Sequence, residues 1–226
     1  KLTREQSDYL NMIQQSADSL LRLLNDILDF SKIEAGKLEL ESLAFNLPEC
    51  VGKTTQTLAV RAAEKGLELA CRIAPELPER LIGDPGRIRQ MIVNLVGNAI
   101  KFTEKGEVVV EVTEESRSDE TIRLHFSVKD TGIGIPKAKQ QTIFEAFTQA
   151  DTSTTRRFGG TGLGLAISSQ LVQIMNGEMW IESEVGKGTV FHFTANLKIA
   201  HDQPPATTFE RSSLSGMPVL IVDDNE

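Results

Sequence analysis

The sequence predicts an α+β protein in which one long amphipathic helix precedes an α/β sandwich, a mixed sheet with helices on one face. Two observations support this fold class. First, apolar residues near the start recur at alternating spacings of three and four, which predicts a single long helix. The recurring apolar residues are Leu10, Ile13, Ala17, Leu20, Leu24 and Ile27. Second, the strand-like and helical patterns after residue 41 do not alternate regularly, which favours a mixed sheet over a doubly wound parallel sheet.

The apolar seam of the first 40 residues predicts a partner helix. A stripe of this length is not stable in water, so we expect it to pack on a helix from upstream or from a second chain, giving a helical bundle and a homodimer. An ordinary core helix is the alternative. Residues 41–197 are expected to form one domain, residues 198–216 a polar linker rich in Pro and Ser, and residues 217–226 the start of a further unit.

The predicted elements of the central domain follow from period-two and helical patterns. Strands are expected at 42–47, 67–74, 107–115, 121–130, 178–184 and 188–197. Helices are expected at 48–65, 85–102, 137–146 and 162–175.

Composition narrows the function classes. The net charge of -8 argues against a nucleic-acid surface, which needs clusters of Lys and Arg. No apolar run approaches the roughly 20 residues of a membrane span and no leader pattern opens the chain, so we expect no membrane contact by these residues. Cys50 and Cys71 lack metal-ligand spacing and suit a reducing, cytoplasmic compartment.

Polar residues form a row on the predicted helix 85–102. Asn94, Asn98 and Lys101 follow the i, i+4, i+7 rule on a face different from the apolar one. Carboxamide oxygens can bind a hard cation and an ammonium can contact phosphate, so the row suits a metal-bound polyphosphate. A solvated helix face is the alternative.

The stretch "DTGIGIP" at residues 130–136 ends a predicted strand. Gly132 and Gly134 would allow the backbone to approach a ligand closely. Because a carboxylate is repelled by polyphosphate, Asp130 is expected at the other end of a nucleotide, accepting a hydrogen bond from the adenine amine. A simple β-turn capped by Asp130 is the alternative.

A second glycine stretch, "GGTGLGL" at 159–165, precedes a helical pattern and offers backbone amides to phosphate. It lacks the Gly-Lys-Ser/Thr ending of a Walker A loop. The polar segment before it predicts a lid, in which Arg156 and Arg157 would either tether the γ-phosphate or remain solvated.

Together these motifs resemble those of sensor histidine kinases. In order, "NLVGNAIKFT" resembles the N box, "DTGIGIP" the first glycine box, "FEAF" the phenylalanine box, "GGTGLGL" the second glycine box and "GKGT" the last glycine turn. Residues 14–41 resemble the second helix of the dimerisation domain and its exit, and "MPVLIVDDNE" resembles the first strand and acidic pair of a receiver domain. The resemblance thus extends to a hybrid histidine kinase.

The resemblance implies a Bergerat ATP-binding fold with Mg²⁺ and ATP as cofactors. It implies Asn98 as the metal ligand, Lys101 at phosphate, Asp130 at adenine, and a lid over roughly 137–161. It implies catalytic roles for Asn94, Lys101 and Arg156. The implied cofactor-binding residues are Asn94, Asn98, Lys101, Asp130, Gly132, Gly134, Ile135, Phe147, Gly160, Thr161, Gly162, Leu163, Gly164 and Thr189.

The residue at position 94 separates kinases from ATPases of the same fold. Those ATPases carry a glutamate base one helical turn before the metal-binding asparagine, whereas this chain has Asn94. A carboxamide does not accept a proton at neutral pH, so phosphoryl transfer is favoured over hydrolysis.

The expected partners are a phosphoacceptor-histidine helix, which would precede this chain, and a receiver domain. A degenerate ATP-binding scaffold or sensor without transfer activity is the alternative.

Overall fold

The computed structural model describes residues 2–148 and 162–200 of the chain. Four α-helices lie within these residues: α1 (Arg4–Glu34), α2 (Leu47–Glu64), α3 (Pro85–Phe102) and α4 (Gly164–Ile174). The strands are β1 (Leu43–Asn46), β2 (Glu68–Ile73), β3 (Arg80–Gly83), β4 (Glu107–Arg117), β5 (Thr121–Asp130), β6 (Met179–Glu184) and β7 (Gly188–Ile199).

The strands of the described residues form one mixed seven-stranded sheet. Its order is β1-β3-β7-β5-β4-β2, and β6 pairs with the first half of β7 on the same side as β3. The pair β2–β4 is parallel, whereas the other pairs are antiparallel. The predicted mixed sheet is therefore confirmed.

The helices cover one face of this sheet. Along β5 the alternate residues Ile122, Leu124, Phe126 and Val128 are at most 1% exposed, because they face α3 and the rest of the core. The rings of Phe126 and Phe193 stack 4.5 Å apart between centroids across β5 and β7. The core is thus built from every second residue of a strand, because successive side chains in a strand point to opposite faces of the sheet.

Helix α1 contacts this domain through its C-terminal end. The Asp29 carboxylate accepts hydrogen bonds from an Arg87 Nη atom at 2.7 Å and from Gln90 Nε2 at 2.9 Å. Phe30 and Ile33 pack against the core cluster. By contrast, Leu10, Ile13, Leu20, Leu24 and Ile27 in the predicted seam are exposed in the chain by itself.

Several predicted elements differ from the structure. The helix predicted at 137–146 is wrong: this segment forms two 3₁₀ turns, Lys137–Lys139 and Thr142–Phe144. The Gln140 side chain between them donates to the backbone oxygens of Ile135 and Ser183, which ties the segment to the sheet instead of to a helical axis. The sequence pattern also missed β3, a four-residue strand, and β7 extends two residues beyond the predicted 197.

None of the helices in the described part of the chain is long and apolar enough to cross a membrane. The predicted linker beyond residue 200 and the unit at 217–226 lie outside the described residues.

Asp84 joins the start of α3 to the segment that leaves α1. Its carboxylate caps α3 by accepting from the Arg87 backbone N–H at 3.0 Å, and it also accepts from the Glu41 N–H at 3.0 Å. The side chain is only 4% exposed. Two backbone donors in a partly buried environment therefore depend on one carboxylate.

We expect Asp84→Ala to lower the free energy of unfolding by about 1–3 kcal/mol, because both donors lose their acceptor. Asn46→Ala is the matched control, since Asn46 caps α2 through one hydrogen bond, to the Glu49 N–H. It should cost about 1 kcal/mol. Urea unfolding measures both variants, and equal losses would contradict the double role of Asp84.

Candidate functional site

The polar row on α3 is set by the burial of the neighbouring face of the helix. Ile88, Ile92 and Leu95 are fully buried. Asn94 and Asn98 are half-buried beside this stripe, because they occupy the next face around the helix. The carboxamides thus stand at the rim of the core, where they can contact both protein and a ligand.

Asn94 contacts the first two turns of α4. Its Nδ2 atom donates to the hydroxyl of Ser168 at 2.9 Å, and Ser168 is 1% exposed. A Cβ atom on Gly164, the first residue of α4, would overlap the Asn94 carboxamide oxygen. The glycine at this position therefore lets α4 begin directly against the polar row of α3.

The C-terminus of α3 is capped by a lysine from the α2–β2 connection. Lys65 Nζ donates to the carbonyl oxygens of Ile100 at 2.6 Å, Lys101 at 3.0 Å and Thr103 at 3.2 Å. A cation is favourable here because the helix dipole places negative charge at this end. The cap fixes the last turn of α3, from which the Lys101 side chain projects.

Lys101 is half-buried beside its neighbour. Its ammonium lies 4.7 Å from the centre of the Phe102 ring, and burial lowers the pKa of the Lys101 amine. A desolvated cation gains more than an exposed one from a negatively charged ligand, because water competes less for it.

Asp130 ends β5 with its carboxylate buried at 6% exposure. Burial raises the pKa of the Asp130 carboxyl, and hydrogen bonds from the backbone of Gly132 and Thr189 partly oppose that rise. The Gly132 N–H donates at 2.8 Å. A buried carboxylate retaining acceptor capacity can bind a ligand hydrogen-bond donor strongly.

The glycine turn after Asp130 lies between α3 and the β6–β7 hairpin. A Cβ atom on Gly132 would lie 2.6 Å from the Phe102 carbonyl oxygen, and one on Gly134 would overlap the Glu184 carbonyl oxygen. Gly134 also has a φ of 69°, which suits glycine. Ile133 completes the connection: its N–H donates to Phe102 O at 3.4 Å and its oxygen accepts from Gly186 N at 2.9 Å.

Sequence reasoning missed Ser183, whose hydroxyl joins this turn to Thr189. Ser183 Oγ accepts from the Ile135 N–H at 2.7 Å and lies 2.8 Å from Thr189 Oγ1. A signal was present in the sequence, because Ser183 continues the inward positions of Met179 and Ile181 along β6, where a polar side chain needs a buried partner.

Phe147 and Gly162 bracket the segment that joins the 3₁₀ turns to α4. The Phe147 N–H donates to Gly162 O at 3.2 Å, and the ring, 68% exposed, meets Phe30 of α1 edge-on with centroids 6.0 Å apart. Leu163 is buried at the start of α4. The predicted site residues Arg156, Gly160 and Thr161 lie outside the described residues.

The fold thus gathers most of the predicted residues around one edge of the domain. The last turn of α3, the end of β5, the β6–β7 hairpin and the start of α4 are linked by the contacts above. A buried acceptor lies at one end of this arrangement, and carboxamides, an ammonium and a helix N-terminus lie along the rest. This distribution suits a ligand with a neutral donor group and an anionic tail.

Comparison with known families gives two matches. The family described as "Histidine kinase-, DNA gyrase B-, and HSP90-like ATPase" matches residues 83–199, and the "His Kinase A (phospho-acceptor) domain" matches residues 1–36. The first match contains α3, the glycine turn, α4 and the β6–β7 hairpin, and so includes the site described above.

Individual relatives agree with these matches. The signal transduction histidine-protein kinase BarA of Escherichia coli K12 is 47% identical over 88% of this chain and 22% of its own length. The sensor histidine kinase GacS of Pseudomonas protegens is 44% identical over 97% of this chain and 23% of its own length. The chain therefore spans less than a quarter of these relatives.

Among solved structures, full-length ShkA in complex with AMPPNP superposes with a TM-score of 0.72 at 38% identity. The match covers 88% of this chain and 40% of ShkA. The first family also includes DNA gyrase B and HSP90, but the second match and these relatives are histidine kinases, so the chain belongs to the sensor histidine kinases and carries their ATPase-type domain.

Proposed function

We propose that this chain binds Mg²⁺ and ATP and transfers the γ-phosphate to a histidine on a dimerisation helix, from which it passes to a receiver aspartate. The observation that carries the proposal is Asp130, a buried carboxylate beside a backbone turn that only glycines allow. The adenine amine is a suitable partner, because it supplies a neutral donor to a carboxylate that has few other donors.

The phosphates would extend from the base toward α3 and α4. The N-terminus of α4 offers backbone N–H groups and the positive end of the helix dipole, and Lys101 adds a cation. Arg156 of the preceding segment would tether the γ-phosphate. The backbone next to the phosphates would come from the second glycine stretch, which here comprises Gly160, Thr161, Gly162, Leu163 and Gly164.

Asn98 is the proposed metal ligand. A carboxamide oxygen is a hard donor that suits Mg²⁺, which ordinarily keeps several waters and substrate phosphates and takes few protein ligands. When bound, the metal would neutralise charge on the phosphates. The half-buried position of Asn98, one turn from Asn94 and beside the end of α3, fits that role.

Asn94 favours transfer over hydrolysis. Its carboxamide is occupied by Ser168 and packs on Gly164, so it holds α4 against α3 and does not accept a proton from water. Catalysis then rests on positioning and on charge stabilisation by Lys101 and the α4 N-terminus.

Three partner and compartment assignments complete the proposal. The exposed seam of α1 would pair with a phosphoacceptor helix and with a second copy in a homodimer. The receiver partner is supported by the resemblance of residues 217–226 to a receiver start. We place the kinase module in the cytoplasm, where ATP is available and where the free thiol of buried Cys50 persists.

Asp130→Asn should weaken binding of a non-hydrolysable ATP analogue roughly five- to a hundredfold, because the carboxamide can direct a donor at the adenine amine. Calorimetry measures the change. Asp119→Asn, at an exposed position in the β4–β5 turn, is the matched control and should leave the affinity unchanged.

The pH dependence gives a second readout of the same residue. Because burial raises the pKa of Asp130, the carboxylate accepts protons earlier than an exposed acid as pH falls, and the acceptor is lost. Affinity of the unaltered chain should therefore fall from neutral toward acidic pH more steeply than that of Asp130→Asn. Parallel pH profiles would remove Asp130 from the base pocket.

Asn98→Ala should leave metal-free nucleotide binding nearly intact and reduce the Mg²⁺-dependent gain roughly tenfold, the effect of losing about 1.4 kcal/mol. Titrations with Mg²⁺ and with EDTA separate the two components. An equal loss under both conditions would instead assign Asn98 a structural role.

Residues 1–226 should bind Mg²⁺ and ATP without labelling their own histidines, and should label a separate helical hairpin that carries the phosphoacceptor helix. His125 and His192 lie in the sheet, and His201 lies in the expected linker. Incubation with γ-labelled ATP followed by acid treatment detects phosphohistidine.

His201 requires its own control because an acid, Asp202, follows it. The same incubation with His201→Gln should give an identical result. Acid-labile label on residues 1–226 alone would contradict the prediction, and no label on the hairpin despite nucleotide binding would favour a scaffold without transfer activity.

A further inference from the structure

We infer that Ser183 is a positioning residue that acts through Thr189 and makes the base pocket selective for a 6-amino purine over a 6-oxo purine. The inference rests on the proposed function, in which Asp130 contacts the base. The inference depends on Ser183, Thr189 and Asp130, which the sheet register places side by side on adjacent strands. Ser183 pairs with Thr189 across β6 and β7, and Thr189 pairs with Asp130 across β7 and β5.

All three side chains lie on the core face at the end of the sheet. Asp130 and Thr189 are 6% and 4% exposed, and Ser183 is half-buried. Polar groups in this environment keep their hydrogen bonds, since losing one partner costs the full desolvation of the other. The direction of each hydroxyl hydrogen is therefore fixed by its neighbours.

The hydrogens of the row can be assigned by counting donors. Ser183 Oγ accepts from the Ile135 N–H at 2.7 Å and donates its one hydrogen to the Gly188 carbonyl oxygen at 3.0 Å. Thr189 Oγ1 lies 2.8 Å from Ser183 Oγ. The geometry allows either hydroxyl to donate across this contact, and we assign the hydrogen to Thr189 because that arrangement keeps the Ser183–Gly188 hydrogen bond.

This assignment makes Thr189 an acceptor toward the pocket. With its hydrogen directed at Ser183, the Thr189 oxygen presents lone pairs beside the acceptor oxygens of Asp130. A 6-amino group, a donor only, matches this environment, whereas a 6-oxo group would face acceptors. Without the Ser183 hydroxyl, Thr189 can turn its hydrogen toward the base and satisfy the oxo group.

Gln140 holds Ser183 and Ile135 in place. Its Nε2 atom donates to the carbonyl oxygens of both residues at 2.9 Å. The backbone on either side of the Ser183–Ile135 hydrogen bond is therefore clamped, and the serine hydroxyl keeps a fixed position relative to the glycine turn.

The test compares ADP with IDP by calorimetry in Mg²⁺ buffer. IDP carries a 6-oxo group and an N1–H donor where ADP carries a 6-amino group and an unprotonated N1 acceptor. Ser183→Ala should weaken ADP binding roughly three- to tenfold and lower the ADP-to-IDP preference. A general loss of packing would weaken both nucleotides equally, so the ratio separates positioning from structure. Ser127→Ala is the matched control: it removes a strand serine on the opposite face of the sheet and should leave the ratio unchanged.

A double-mutant cycle tests whether Ser183 acts through Thr189. If it does, adding Ser183→Ala to Thr189→Val should not change the ratio further. An unchanged ratio in Ser183→Ala, an additive effect in the cycle, or an equal change in Ser127→Ala would overturn the inference. If Ser183→Ala does not fold, Ser183→Cys is measured, and its weak thiol should also lower the ratio.

Asp130→Asn, measured in the same series, separates this inference from the proposed function. If Asp130→Asn leaves ADP affinity unchanged, the base pocket is misassigned and both proposals fall. If it weakens ADP while Ser183→Ala leaves the ratio intact, only the role of Ser183 is wrong.

Discussion

The burial of one face of α3 is the constraint on which the rest of the site depends. Ile88, Ile92 and Leu95 are fully buried against the sheet, and each contributes about 1.5–3 kcal/mol by leaving water. This packing fixes the rotation of the helix about its axis. Asn94 and Asn98 therefore lie at the rim, and a rotation that moved them would expose the core.

Close backbone packing transmits this placement to the other elements. The carbonyl oxygen of Phe102, in the last turn of α3, contacts the glycine turn after β5, and the turn in turn contacts the β6–β7 hairpin. On the other side, Gly164 brings α4 against Asn94. Because these contacts leave no space for a Cβ atom, the ends of four elements are held at distances that side-chain packing alone would not give.

The sequence predicted the elements whose pattern is long and regular, and it missed those defined by contacts between distant residues. The α3 helix and β5 have the predicted bounds, since each carries an uninterrupted period over ten residues or more. The strand β3 has only four residues and pairs with β1 and β7, so its signal is mostly tertiary. The segment 137–146 has a helical pattern, but Gln140 bonds to the sheet backbone instead.

The same distinction applies to the site. Residue types in order sufficed to propose Asn94, Asn98, Lys101 and Asp130. The inward position of Ser183 was visible in the β6 pattern, but its partners, like those of Lys65, are distant residues that the sequence does not identify. The junction with α1 also depends on distant residues. Asp29 accepts from both Arg87 and Gln90, and the side chains of Asp29 and Arg87 are 16% and 23% exposed.

A charge pair at that depth is costly to separate, because each partner would be left poorly solvated. The C-terminal end of α1 is thus oriented on the N-terminal turns of α3 by polar contacts that require specific geometry. Nearby, the ring of Phe30 contacts that of Phe147 edge-on. The apolar seam of α1, from Leu10 to Ile27, is exposed in the chain by itself. Apolar contacts are not directional, so such a surface can pack in many arrangements. The hydrogen bonds of Asp29 therefore fix the orientation of α1 where it contacts the nucleotide domain. The apolar seam lies farther along the helix, where another helix can pack on it.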